Sequence, residues 1–134
     1  MTNRSKNSML IAVAVIGIVV LAATLLPMVA SSQGDDVHEI RLVVRDMNFY
    51  VEGESQPNPT LNVRAGEKVR LMLTNDDPGM RHDFVVADWD VATRVLDDRG
   101  QQDSVTFDAP ANPGDHVYHC TPHAKMMRGT IRVQ

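Results

Sequence analysis

Cys120, His123 and the pair Met126-Met127 stand within one short stretch, "YHCTPHAKMMRG", at residues 118–129. Cys120 is the only cysteine of the chain. A thiolate, an imidazole and a thioether are soft or borderline donors, suited to copper, zinc or iron rather than to calcium or magnesium. One loop that offers three such donors lacks a fourth. Four further histidines are available to supply it, at positions 38, 82, 116 and 119.

Strand alternation selects among them, because side chains two residues apart share a face. In "HVYHC", Cys120 lies in phase with Tyr118 and His116, while His119 points to the opposite side with Val117. His116 is four residues back along the same strand, about 13 Å away at a rise of about 3.3 Å per residue, too far to share an ion with Cys120. His38 has no cysteine, methionine or second histidine beside it. These three histidines are assigned to the surface. His82 follows the turn-rich "NDDPGMR" and begins a run in which Phe84 and Val86 share its phase, so a second strand would present this imidazole at the rim of a core. Met127 is in phase with Gly129, Ile131 and Val133, an inward set, whereas Met126 keeps company with Arg128, Thr130 and Arg132. Met127 is therefore preferred as the fourth ligand, with Met126 the alternative. The expected metal site is His82, Cys120, His123 and Met127.

Each of these residues alone has an ordinary explanation as an edge histidine, a solvated loop residue or core filler. Their conjunction argues for one metal ion. Two nitrogens, one thiolate and a weak thioether match a mononuclear blue-copper electron-transfer centre. Structural zinc leaves the methionine unexplained.

The elements that must position these ligands are short and alternating. "HEIRLVV" places Ile40, Leu42 and Val44 on one face, and "TLNVRAGEKVRLMLTN" reads as two strands around Ala65-Gly66. "HDFVV", "SVTFDA", "DHVYHC" and "GTIRV" complete about seven strands, separated by Gly, Pro, Asn and Asp clusters. Such a pattern predicts an all-β antiparallel sandwich over residues 37–134. "ADWDVATRVLDDRG" at 87–100 is too polar for a core strand and reads as a loop with a short helical turn, held down by Trp89 and Leu96. The acidic pairs Asp76-Asp77 and Asp97-Asp98 read as turn chemistry.

Before the domain come a basic segment at 1–8 with Arg4 and Lys6, an apolar segment at 9–30 and a polar linker at 31–36. The uncharged run from Met9 to Leu26 reaches the length of about 18 residues that a spanning helix requires. It reads as one N-terminal hydrophobic helix that anchors the chain, with the basic end inside and the domain outside the cytoplasm. A signal peptide cut near Val29-Ala30-Ser31 is the alternative, and both readings export the domain. Outside the cytoplasm a lone thiol is exposed to oxidation, which a bound metal would prevent. The whole chain has a net charge of −4, and two of its thirteen Lys and Arg lie before residue 9, so the domain is more acidic still. That balance argues against a nucleic-acid partner.

With these motifs in view, the chain resembles the small blue copper proteins, the cupredoxins of the plastocyanin, amicyanin and pseudoazurin type. "YHCTPH" and "MRGTIRV" are especially similar to amicyanin, and "NPTLNVRAGEKVRLMLTN" is similar to the strand that precedes the family's first histidine ligand. The resemblance implies a Greek-key sandwich, one type 1 copper ion, and a carrier of single electrons between a redox donor and acceptor, such as a membrane respiratory or photosynthetic complex or a cytochrome. It implies neither catalysis nor a small-molecule substrate. A copper-delivery protein without an electron-transfer role is the alternative. The family often has Asn after its first histidine ligand, tying the two ligand loops together, and here Asp83 stands there. The loop from His123 to Met127 is intermediate in length between amicyanin-like and plastocyanin-like loops. The resemblance also implies that His123 reaches the surface among Pro122, Ala124 and Met126, with Lys125, Arg128 and Arg81 as a basic rim.

Overall fold

The computed structural model describes residues 36–134. The basic segment, the expected hydrophobic helix over 9–30 and nearly all of the linker lie outside the described residues. Among the described residues no helix is long and apolar enough to cross a membrane.

Among the described residues nine strands form two sheets. They are β1 (His38–Arg45), β2 (Asn48–Val51), β3 (Leu61–Val63), β4 (Lys68–Asn75), β5 (Val85–Val86), β6 (Val91–Ala92), β7 (Gln102–Asp108), β8 (Gly114–His119) and β9 (Arg128–Val133). The first sheet runs β2-β1-β4-β7 and the second β3-β9-β8-β5-β6. Alternation works as expected: Ile40, Leu42 and Val44 of β1 and Val69, Leu71 and Leu73 of β4 are buried against Ile131 and Val133 of β9 and Leu61 and Val63 of β3. Burying one face of each sheet is the main favourable term in holding the sandwich together.

The sheets are mixed, which corrects the expectation of an antiparallel sandwich. β1 runs parallel to β4, and β3 runs parallel to β9, while the other ladders are antiparallel. Alternation reports which face is buried and carries no information about strand direction.

Two elements differ from the sequence reading. β2 pairs with β1 through Asp46 and Met47, both of positive φ, at 50° and 58°. A two-residue hairpin turn of this kind ordinarily shows Asn-Gly or Asp-Gly, so the usual signal is missing. The run "HDFVV" enters a ladder only at Val85 and Val86. His82 instead exchanges both backbone hydrogen bonds with Leu96, at 3.0 and 2.7 Å. The polar segment 87–100 holds a 3-10 turn at Ala87–Trp89 and the short β6, and Leu96 is fully buried.

Beneath the ligand-bearing end sits an aromatic trio. Tyr118 stacks on Phe84 with centroids 5.2 Å apart and meets Phe49 edge-on at 5.3 Å. Its hydroxyl donates to the Pro59 carbonyl at 2.6 Å. Phe84 is two residues after His82, and Tyr118 two before Cys120. The rings therefore join the backbones of both ligand segments to one rigid floor.

Candidate metal centre

His82, Cys120 and His123 come together although they arise from two remote segments. Their ligand atoms all lie within 4.8 Å of one another. Cys120 Sγ is 3.7 Å from His82 Nδ1 and 3.6 Å from His123 Nδ1. A zinc-sized ion bonded to nitrogen at about 2.0 Å and to sulfur at about 2.3 Å, at tetrahedral to trigonal angles, spans N···S separations of roughly 3.5–3.8 Å. The observed separations are those one shared ion requires. The two imidazoles are tilted by 49° with centroids 5.0 Å apart, so neither ring stacks over the other's donor atom.

Each segment is fixed by its own hydrogen bonds. Cys120 directly follows β8, and its N–H donates to the Met127 carbonyl at 3.0 Å, closing the loop at the start of β9. Inside the loop Thr121–His123 forms a 3-10 turn with Pro122 in its first positions, where a missing N–H costs nothing. The Met126 and Met127 amides both donate to the His123 carbonyl at 2.9 Å. Asp83 is buried and its carboxylate accepts the Thr121 amide at 2.6 Å. The residue after His82 thus ties the two ligand segments together with Asp in the place of Asn.

The two methionines separate as their phases suggest. Met127 is completely buried in the core, and Met126 is 58 % exposed. The three remaining histidines are occupied elsewhere: His38 contacts Glu67 at 3.1 Å, His116 packs on Trp89 at 4.9 Å, and His119 points away from Cys120.

Burial sets the electrostatics. His82 and Cys120 are fully inaccessible, while His123 keeps part of its ring in solvent. Burial pushes the Cys120 thiol up to about 11, partly opposed by backbone hydrogen bonds from Asp83 and His123 to the sulfur. Burial lowers the pKa of His82, and the charge of a protonated His123 lowers it further, against the raising influence of Asp77 and Asp83. At neutral pH the metal-free site therefore holds a protonated sulfur and a neutral His82. Metal uptake must expel the thiol proton. Titrating Zn(II), which does not oxidise thiols, into weakly buffered protein at pH 7.5 is expected to release about one proton per ion, and affinity is expected to rise roughly tenfold per pH unit up to the thiol value. A pH-electrode titration with no proton release would contradict this protonation state.

Sequence reasoning missed Asp77. It belongs to an acidic pair read as turn chemistry, yet it is largely buried, and its Oδ2 lies 3.2 Å from His82 Nε2. A signal existed in hindsight, since Asp77 is five residues before a candidate ligand within a turn-rich stretch.

A mixed β-sandwich that gathers two imidazoles and one buried sulfur around a single ion position defines a cupredoxin-like blue copper protein. Residues 56–134 match the copper binding proteins of the plastocyanin/azurin family, and the chain belongs to that family. Solved structures agree on the fold. Dithionite-reduced auracyanin from the photosynthetic bacterium Roseiflexus castenholzii is similar at a TM-score of 0.58 and 20% identity, over 72% of this chain and 96% of that one. Auracyanin B is similar at 0.57 and 23% identity, over 72% and 88%. Reduced rusticyanin is similar at 0.51 and 20% identity, over 78% and 87%. No curated protein matches the chain. The donor set and the family together assign one type 1 copper ion as the cofactor.

Proposed function

We propose that the chain carries single electrons through a type 1 copper centre that His82, Cys120 and His123 would hold, with Met127 as the fourth, weaker thioether ligand. The observation that carries this reading is the pair of sulfur–nitrogen separations, 3.7 and 3.6 Å, formed by buried groups from distant segments. Copper supplies the one-electron couple. The protein keeps the donors in place: β8 and β9 pin both ends of the loop, Asp83 joins it to the His82 segment, and the amides of Asp83 and His123 support the sulfur. Donors that hardly move between oxidation states keep the reorganisation on electron transfer small. The burial of Met127, against the exposure of Met126, supports Met127 as the thioether donor. A carrier, not an enzyme, is the role this donor set suits. A delivery site has to surrender its ion, and enclosure of Cys120 and His82 speaks against that role.

Export and anchoring rest on the apolar run at residues 9–26 and the basic residues before it. The domain would then work outside the cytoplasm, between a donor and an acceptor of a membrane electron-transfer chain. His123 is the half-exposed ligand, and Pro122, Ala124 and Met126 around it are exposed. This apolar collar is the proposed port for electrons. Lys125 and Arg128 beside it are exposed and form no ion pair among the described residues, whereas Arg81 is held by Asp97 at 2.9 Å. A partner with acidic surroundings at its redox centre is the match. Lys125→Glu is expected to slow exchange with such a partner severalfold at low ionic strength, with the two rates converging as salt screens the charges. Stopped-flow mixing gives the rates, and no change at low salt would rule out this face.

The function itself is tested by adding Cu(II) to the protein and recording its visible spectrum. An intense blue thiolate-to-copper band that bleaches on reduction and returns on oxidation supports the carrier. A colourless complex that a chelator strips readily supports storage or zinc instead.

A further inference from the structure

Asp77 makes more connections than a turn residue needs. Its Oδ1 accepts the Asp46 amide at 2.7 Å, and its Oδ2 accepts the Met47 amide at 3.1 Å and lies 3.2 Å from His82 Nε2. Its own amide donates to Asn75 Oδ1 at 2.9 Å, and the Asn75 side-chain amide reaches the Met80 carbonyl at 2.8 Å. One carboxylate therefore joins the β1–β2 turn to the back of a fully buried imidazole, and Asn75 braces the segment that links the two.

We propose that Asp77 is a positioning residue of the copper centre, which selects the His82 tautomer and places a negative charge behind that ligand. The proposal rests on the copper reading above. A carboxylate has only acceptor capacity toward Nε2, so the imidazole donates there and carries its proton on Nε2. Nδ1 is then bare and faces Cys120, the state in which an imidazole can ligate. The charge acts through the ring on the ion, and in a buried setting it is weakly screened. It favours the more positive, oxidised centre and so lowers the reduction potential. The turn explains why Asp is needed in this place. Asp46 and Met47 both adopt positive φ without glycine, and two accepting oxygens satisfy both of their amides while still serving His82. An asparagine offers one accepting oxygen to three donors and turns its NH2 group toward the others.

The experiment separates ligand positioning from support of the turn. Asp46→Gly with Met47→Gly removes the positive-φ penalty, and Asp77→Asn is then made in that background. Nitrogen-15 NMR of the metal-free proteins reads the His82 tautomer, and voltammetry of the copper-loaded proteins reads the potential. The Gly-Gly variant is expected to keep a single Nε2-protonated tautomer and the parental potential. Adding Asp77→Asn is expected to produce a tautomer mixture and an upward shift in potential. An unchanged tautomer after Asp77→Asn overturns the positioning role, and the NMR arm decides this even if the protein bound no copper. A shifted tautomer with an unchanged potential overturns the role of the charge, as does an equal rise in the Gly-Gly variant with Asp77 intact.

Discussion

Gly129→Ala is expected to be among the most damaging single-methyl changes available to this domain. A Cβ at Gly129 would drive into the Tyr118 ring and hydroxyl across the β8–β9 ladder, where the two residues are directly paired. Tyr118 cannot withdraw. It is fully buried, stacked on Phe84, and held at its hydroxyl by the Pro59 carbonyl. Overpacking of this kind costs about 1–3 kcal/mol, and a ring pinned at both ends belongs at the upper limit or beyond. For a domain of this size each kcal/mol lowers Tm by roughly 4–8 °C. Gly114→Ala is the control, because its nearest neighbour is a flexible one, His116 Nε2 at 3.5 Å. Calorimetry that found the two variants equally stable would show that the Tyr118 contact can relax.

Cys120→Ser is expected to abolish the blue band while leaving the fold largely intact. The band requires a thiolate donating charge to copper, and a hydroxyl at the same place is a harder donor that stays protonated near neutral pH. The serine is nearly isosteric, so the loss of colour cannot be assigned to collapse of the loop, whose closure runs through the Cys120 and Met127 main chains. His123→Ala should differ from His82→Ala in a way the burial dictates. His123 opens to solvent, so added imidazole can restore a donor there, whereas His82 is fully buried. Visible spectroscopy of the three variants, with urea midpoints as the check on folding, measures the effect. A persistent blue band in Cys120→Ser would remove sulfur from the site.

The parts of this molecule that were legible in the sequence are those governed by short-range rules. Period-two alternation located the inner faces of β1, β4 and β9, because residues such as Leu42, Leu71 and Ile131 have to point one way. The same phase argument separated Met127 from Met126 and His119 from Cys120. It also singled out His82, although that residue sits outside the regular ladder and is held by Leu96. What remained illegible depends on partners distant along the chain. Parallel pairing of β1 with β4 leaves no local trace. The Asp46-Met47 turn looks unfavourable until the Asp77 carboxylate is seen beneath it. Asp77 itself resembled any acidic residue in a polar stretch, since burial by a remote hairpin is not a local property.

The pairing of Leu61 with Ile131 and of Val63 with Val133 has a kinetic consequence. The second sheet cannot be completed until β3, the third strand in chain order, has met the C-terminal one, a non-local pairing of the kind that places the folding of β-sandwiches roughly in the millisecond-to-second range. Met127 and the closure of the Cys120 loop lie at the start of that same C-terminal strand. Bound ion should then contribute mainly by slowing escape from the finished structure rather than by hastening its assembly.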